Sequence, residues 1–207
     1  MRHLNHNLKA VVTASLAFLP LQVPTTILAQ SLDEIPETSA PLLDQRGPDL
    51  TEESALLDAL REATPAEAEH LDRQLRALWE KSGSPAMDLL LRRGRDALEE
   101  GDYDVAIEHL TALTDHAPDF AEGWQVRAAA YYRAELFGPA LADLERALAL
   151  NPNHYHAMLG LGAILETVGL DQLAFEAYSQ AISIHPHHED VSSALDRLRR
   201  SVEGTDL

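Results

Sequence analysis

The sequence predicts an all-α fold: a solenoid of three stacked helix hairpins, with a further helix hairpin before it and a capping helix after it. Three observations predict this architecture. Small and apolar residues recur with a period of 34 residues, and helix-starting and helix-ending signals bracket each apolar stripe. The hydrophobic fraction of 45% is typical of a folded chain, while an aromatic fraction of only 5% indicates a core built mainly from Leu and Ala.

Composition excludes several classes of function. The 207 residues include 16 Lys and Arg against 34 Asp and Glu, which gives a net charge of -18. Nucleic acid and anionic membrane surfaces are therefore not expected as partners, because the field of the protein repels them. The absence of cysteine excludes disulfides, thiolate metal sites and cysteine catalysis.

Residues 1–29 have the pattern of a secretory signal peptide. Arg2 and Lys9 form a basic start, a short apolar run extends from Ala10 to Val23, and Ala29 precedes a polar junction. We expect cleavage after Ala29 and export to the periplasm. The alternative is an uncleaved anchor in the inner membrane with the remaining chain facing the periplasm, since the uncharged stretch is just long enough to span a bilayer.

Residues 30–48 are rich in proline and acidic residues and predict a disordered linker. Residues 49–83 then predict a helix hairpin. Its first helix carries Leu56, Leu57 and Leu60. Its second begins at the sequence Thr64-Pro65-Ala66-Glu67, which supplies an N-cap, a first-turn proline and a capping-box acid. We expect this hairpin to stack on the first repeat, and a degenerate fourth repeat stays open as an alternative.

The 34-residue period organises the remainder of the chain. Its markers are three equally spaced prolines, each preceded at twelve residues by an alanine: Pro118, Pro152 and Pro186, with Ala106, Ala140 and Ala174. The prolines predict that second helices over 104–117, 139–150 and 171–184 end near them. The turns within the hairpins are expected at Gly101, Gly138-Pro139 and Gly169, and Asp119 with Glu122 is expected to form a capping box.

These residues resemble the tetratricopeptide repeat family. The middle copy is nearest the family pattern, with Trp124, Ala128, Tyr131, Ala140, Leu144, Ala147 and Pro152 in the motif places. The resemblance covers repeats 87–120, 121–154 and 155–188 within a domain of residues 84–204, and it implies a right-handed α-solenoid. The apolar spacing of residues 189–203 predicts a capping helix, which an open solenoid end requires.

The resemblance also implies a concave surface lined by one stripe of each first helix. From that stripe and its flanks we expect a partner-binding groove formed by Leu91, Arg92, Arg95, Gln125, Tyr132, Arg133, His156 and Leu159. Arginine suits capture of carboxylates, and tyrosine is a rigid anchor. The expected partner is a protein or peptide segment with acidic and apolar side chains. The alternative is that the arginines pair with Asp88, Glu99 and Glu122 of the chain itself.

Five histidines are expected to share one edge of the third repeat: His154, His156, His185, His187 and His188. Imidazole is a common ligand of zinc, copper and nickel, so this edge offers a metal-binding alternative, although its spacing matches no standard site. The chain has no motif of a catalytic, phosphate-binding or dinucleotide site. We therefore expect neither catalysis nor a cofactor.

Together these patterns predict a non-catalytic periplasmic scaffold that binds a partner segment in the groove. Two alternatives remain: a metal-binding protein that uses the histidine edge, and a structural module that associates with itself. The sequence does not indicate an oligomeric state.

Overall fold

Nine α-helices without strands form residues 50–203, the part of the chain that the computed structural model describes. The expected signal peptide and linker lie outside the described residues. None of the described helices is long and apolar enough to cross a membrane. The helices are α1 (Leu50–Glu62), α2 (Pro65–Trp79), α3 (Pro85–Glu100), α4 (Tyr103–His116), α5 (Ala121–Arg133), α6 (Phe137–Leu150), α7 (Tyr155–Thr167), α8 (Asp171–Ile184) and α9 (Glu189–Glu203).

Helices α3 to α8 form the three predicted hairpins, which stack in chain order. The second helices α4, α6 and α8 each end two residues before the repeated proline. Small residues allow the paired helices to approach closely: a Cβ at Gly94 would lie 2.5 Å from Leu110, and one at Gly162 would lie 2.6 Å from Tyr178. The repeated small positions are therefore explained by helix packing.

The stack has two edges and a concave side. The turns within hairpins, at residues 101–102, 134–136 and 168–170, lie along one edge, which we call the hairpin-turn edge. The turns between hairpins, at residues 117–120, 151–154 and 185–188, lie along the opposite, inter-repeat edge. First helices contact each other, α3 with α5 and α5 with α7, whereas successive second helices lie farther apart. The stack therefore curves with its first helices on the concave side.

Two of the three predicted hairpin turns are confirmed, and the third is wrong. Gly101 and Gly169 adopt left-handed backbone conformations, with φ of 85° and 78°. In the middle hairpin, Gly138 lies inside the first turn of α6, and Glu135 is the left-handed residue with φ of 61°. A side chain in this region crowds the following carbonyl, so this turn is strained relative to a glycine turn.

The predicted capping box at α5 is also wrong. Phe120 is the N-cap residue, and its side chain makes no capping hydrogen bond. Asp119 instead pairs with Arg146 across 3.3 Å, and Glu122 is buried in a different network. At α2 the predicted capping box is present, because the backbone N–H of Thr64 donates to Glu67 at 2.9 Å. The hydroxyl of Thr64 also donates to Glu67, and the side-chain and backbone hydrogen bonds together lower the pKa of the Glu67 carboxyl.

The N-terminal hairpin α1–α2 does not stack on the first repeat, contrary to the sequence expectation. It packs against the third repeat, along the inter-repeat edge. One apolar cluster contains Leu60, Leu75 and Trp79 of the hairpin together with Tyr155 and Ile184 of the third repeat. Helix α9, at the predicted capping position, joins the same cluster through its own apolar face, formed by Val191, Ala194, Leu195 and Leu198.

Helix α2 runs along this edge toward the first repeat. At its start, His187 Nε2 lies 2.9 Å from the carbonyl oxygen of Ala63. Just after its end, Glu80 pairs with Arg95 of α3. At 1.5 Å per residue its 15 residues extend about 22 Å, so α2 connects the last inter-repeat turn with the first helix of the first repeat.

Candidate partner-binding surface

The concave stripe predicted from the sequence divides into a covered part and an open part. The covered part lies on α7 and at the start of α5, where α2 passes. The open part lies farther along the first helices, toward their C-terminal ends, where the side chains of Leu98, Gln125, Ala129, Tyr132 and Ala163 are partly exposed. Gln125 and the hydroxyl of Tyr132 have no hydrogen-bond partner among the described residues, so both are available to another molecule.

Two apolar residues assigned to the groove are engaged within the chain. Leu91 is only 3% exposed and belongs to the core between the first two repeats. Leu159 is partly buried against the cluster that contains the N-terminal hairpin. Leu91 therefore offers no apolar surface to a partner, and Leu159 keeps only the part of its surface that the hairpin cluster leaves open.

The three groove arginines occupy different environments. Arg95 already pairs with Glu80 and Glu122, which agrees with part of the intramolecular alternative. Arg133 lies at the hairpin-turn edge, where its guanidinium stands over the ring of Tyr103 and donates to the Tyr103 hydroxyl at 3.0 Å. Arg92 is exposed and makes no ion pair within the described part of the chain. Of these three arginines, Arg92 alone has no ion-pair partner among the described residues.

Glu122 is the central acid of the covered part. Its side chain is 7% exposed, and the carboxylate lies between Arg95 and His154. The Nδ1 atom of His154 accepts from the backbone N–H of Ala157, so Nε2 carries the proton that reaches Glu122 at 2.9 Å. Burial alone would raise the pKa of Glu122, but the hydrogen bond from His154 and the charge of Arg95 outweigh burial and lower it.

Trp79 of α2 packs over this network. Its indole ring stacks on the imidazole of His154 with 4.5 Å between ring centroids. Its Nε1 donates to Glu53 of α1 at 2.7 Å, and Glu53 also accepts from Asn151 of the α6–α7 turn at 2.7 Å. The hairpin is thus attached to the inter-repeat edge by ring stacking and by buried hydrogen bonds as well as by apolar packing.

Four of the five predicted edge histidines gather around Tyr155. The ring centroids of His156, His185 and His188 lie 4.4, 5.4 and 6.4 Å from that of Tyr155. His154 is 6.1 Å from His156 by the same measure. The Tyr155 hydroxyl donates to Asp72 of α2. The fifth, His187, points instead to the carbonyl oxygen of Ala63.

Three histidines of the cluster, His156, His185 and His188, have pKa values shifted toward the uncharged form. His156 Nε2, His185 Nδ1 and His188 Nδ1 are buried and have no hydrogen-bond partner in the described part of the chain. Burial and the guanidinium of Arg76 lower the pKa of His156 to about 3, and burial likewise lowers the pKa values of His185 and His188.

The cluster does not have the geometry of a metal centre. Within residues 52–200, no group of three or more His, Asp or Glu side chains is arranged to hold a metal ion. A cavity of about 360 Å³ lies beside the cluster, between α2 and the α8–α9 turn, with Arg73, Arg76 and Asp190 in its wall. Its cations and carboxylates are mixed, so it favours no ligand of one charge.

Sequence reasoning missed two groups of residues. The first is Arg127, which binds both carboxylate oxygens of buried Asp143 at 2.7 and 2.8 Å and braces α5 against α6. Its pairing raises the pKa of the arginine, although burial opposes the rise. The second group is Asp72, Trp79 and Glu80, whose roles depend on the unexpected position of the N-terminal hairpin.

Comparison with known proteins identifies the architecture. The family description "Tetratricopeptide repeat" matches residues 91–138 and 126–189. A TPR repeat-containing protein of Rhizobium etli is 29% identical over 144 residues, which span 70% of this chain and 71% of that protein. The bovine SGT1 homolog is 28% identical over 120 residues, or 58% of this chain and 36% of the relative.

Two solved structures share the fold at comparable identity. The first TPR of Spaghetti (RPAP3), bound to an HSP90 peptide, is 25% identical with a TM-score of 0.56, and the match covers 58% of this chain and 95% of that structure. The Sgt2 TPR domain of Aspergillus fumigatus is 26% identical with a TM-score of 0.56, and here the coverage is 59% and 83%. Period, hairpin stacking and these similarities agree: the chain belongs to the tetratricopeptide repeat family.

Proposed function

We propose that this protein is a non-catalytic scaffold that binds a segment of another protein on the open part of its concave side. The observation that carries the proposal is the strip from Leu98 through Gln125 and Ala129 to Tyr132, which is partly exposed and has unpaired polar groups. The TPR of RPAP3, whose structure contains an HSP90 peptide, supports peptide binding by analogy.

The partner segment is proposed to combine apolar and acidic side chains. The apolar side chains pack against Leu98 and Tyr132, which are only partly covered by the chain. A carboxylate pairs with exposed Arg92, or takes the place of Glu80 on Arg95. Glu80 is the more exchangeable of the two Arg95 partners, because its side chain is 40% exposed and that of Glu122 is 7% exposed.

The proposed site of action is the periplasm, reached through cleavage of residues 1–29. The support is the sequence of a basic start, a short apolar run and Ala29 before a polar junction. The intact mass of the protein recovered from the periplasmic fraction tests this proposal. A mass that starts at Gln30 is expected. Recovery of the full-length mass from the membrane fraction would favour the anchored alternative.

Site-specific photo-crosslinking tests the groove. A photoreactive amino acid replaces Gln125 in the full chain, expressed in its native host, and a matched variant carries it at exposed Glu108 of α4, outside the concave side. A discrete adduct is expected from position 125 and not from position 108. The adduct should disappear when Tyr132→Glu is added, because the new charge disrupts the apolar anchor.

The crosslinking result separates the proposal from its alternatives. Identical adducts from positions 125 and 108 would contradict binding on the concave side. An adduct with the mass of two copies of this chain would favour the self-associating module. The metal-binding alternative has no supporting geometry within the described residues.

A further inference from the structure

The hairpin-turn edge carries an uncovered apolar surface. Among the described residues, six large apolar side chains are exposed, and five of them lie on or beside the three turns of this edge: Val105, Leu136, Val168, Leu170 and Leu173. Leu136, Leu170 and Leu173 are 47% to 48% exposed. Apolar side chains gathered along one edge typically mark a docking surface, whereas single ones do not.

The turns that carry these residues are neighbours in space. Arg133, beside the α5–α6 turn, donates to the hydroxyl of Tyr103, the first residue of α4. The α7–α8 turn follows in the next stacked hairpin. Packed helices lie about 8–10 Å apart, so an extended or helical segment of ordinary length reaches the apolar side chains of more than one turn.

The same edge is strongly acidic. Five carboxylates on or next to its first two turns are exposed and have no ion-pair partner in residues 52–200: Glu99, Glu100, Asp102, Asp104 and Glu135. In residues 99–105, 133–139 and 168–173 the one basic residue is Arg133, which is already engaged with Tyr103. The edge therefore combines exposed apolar groups with an excess of negative charge.

This combination selects the occupant. A second copy of the chain would bring the same carboxylates against this edge, and like charges placed opposite each other oppose association. An anionic membrane is repelled for the same reason. A segment that carries lysine or arginine beside apolar side chains complements both the negative charge and the apolar groups of this edge. We propose that the hairpin-turn edge is a docking surface for a basic amphipathic segment of another protein, separate from the concave side.

The two contributions have different effects on binding. Apolar contact with Leu136, Leu170 and Leu173 removes hydrophobic surface from water and slows dissociation. The exposed carboxylates contribute mainly to the association rate and to its dependence on salt. Neither contribution involves Gln125 or Tyr132, so this surface can exist whether or not the concave side binds a segment.

The test uses the full mature chain and a fluorescein-labelled helical peptide of Lys and Leu with its leucines on one face. Its controls are a peptide of the same composition in scrambled order and a peptide with Glu in place of Lys. Fluorescence anisotropy should show that the Lys-Leu peptide binds and that the two control peptides bind at least about tenfold more weakly. Equal binding of all three, or no binding, would overturn the proposal.

Paired variants locate the surface. The triple change Leu136→Ser, Leu170→Ser and Leu173→Ser should raise the Kd of the Lys-Leu peptide about tenfold or more. Leu89→Ser is the matched control, because Leu89 is the sixth exposed large apolar residue and lies on α3 away from this edge. The Kd of the Lys-Leu peptide should be the same for Leu89→Ser as for the unaltered chain. Circular dichroism confirms that each variant folds.

Charge variants and a footprint complete the test. Asp102→Asn with Glu135→Gln should reduce the salt dependence of association, whereas Glu108→Gln with Glu145→Gln on the second helices should not. Hydrogen exchange should slow at the three hairpin turns when the Lys-Leu peptide binds. Protection confined to α5 and α7, or a loss of binding on Gln125→Arg, would place the peptide on the concave side and overturn the proposal without affecting the proposed function.

Discussion

Both edges of the stack consist of the turns between helices and the helix ends beside them, yet their environments differ. The inter-repeat edge is covered by α1–α2 at the third repeat, where the rings of Trp79, His154 and Tyr155 are buried. The hairpin-turn edge has no such cover within the described residues and presents leucines and carboxylates to solvent. The repeat alone therefore does not determine which edge is sealed. A segment outside the repeats makes that difference.

The largest expected effect comes from removing the residue that seals the covered edge. Trp79→Ala deletes the ring stacked on His154 and leaves Glu53 without its indole donor. We expect a loss of about 3–5 kcal/mol in the free energy of unfolding, measured by urea denaturation. Trp124→Ala is the control: its ring is only partly buried, so a smaller loss is expected. A loss of less than about 1 kcal/mol on Trp79→Ala would show that the hairpin adds little to stability.

A second change addresses the buried charge network beneath α2. Glu122→Gln keeps the shape of the side chain but removes the charge that Arg95 and His154 face. We expect a loss of about 2 kcal/mol in the free energy of unfolding, typical of a charged hydrogen bond. Glu108→Gln, at an exposed position, should change it by less than about 0.5 kcal/mol. Equal values for the two variants would contradict the network.

Acid should loosen the covered edge before the open one. The folded-state pKa of His156 lies near 3, below its ordinary value of 6.5, so the unfolded chain binds the extra proton first. The stability from keeping this ring neutral is complete above about pH 6.5 and falls by about 1.4 kcal/mol per pH unit below it. His185 and His188 act in the same direction.

Hydrogen exchange of α2 between pH 7 and pH 5 measures this loosening. His156 faces Asp72 and Arg76 of α2, Glu122 of α5, and the neighbouring rings of His154 and His188. His156→Gln should weaken the pH dependence. His70→Gln, at an exposed site on α2, should leave it unchanged. An α2 that exchanges equally at both pH values after correction for intrinsic rates would contradict the prediction.

The smallest expected effect lies on the open edge. Glu135→Gly replaces the left-handed residue of the middle hairpin turn. Relief of side-chain crowding outweighs the added freedom of the unfolded chain, so we expect a gain of about 0.5–1 kcal/mol in the free energy of unfolding, measured by thermal or urea denaturation. Gly101→Ala should have the opposite sign, because Gly101 has φ of 85°. A loss in both variants would indicate that Glu135 has a stabilising contact.

The sequence predicted the three hairpins because their determinants are local. Gly94 and Leu110, or Gly162 and Tyr178, meet within one repeat, so the 34-residue period contains both partners. The position of α1–α2 was not predictable in this way. Its anchors join residues far apart in the chain, such as Glu53 and Asn151, which are 98 positions apart. No periodicity relates the two residues of such a pair.

The candidate site was predicted unevenly for the same reason. Helical spacing placed Gln125 and Tyr132 on the concave side, and both side chains are partly exposed. It also placed His156 there, but α2 covers this residue. Spacing within one helix gives the direction of a side chain and does not reveal which distant segment packs on it. The roles of Trp79 and Glu80 therefore required the tertiary structure.

The length of α2 restricts the number of stacked repeats that the N-terminal hairpin can span. Its start contacts the last inter-repeat turn at His187, and the residue after its end contacts Arg95 of the first repeat. Another hairpin inserted between these points would lengthen the stack by about 10 Å, which corresponds to about seven further residues of helix. Duplication of a repeat would break one of the two contacts unless α2 grew with it. The length of α2 thus matches a stack of three repeats, and a longer stack would lose one of its two end contacts.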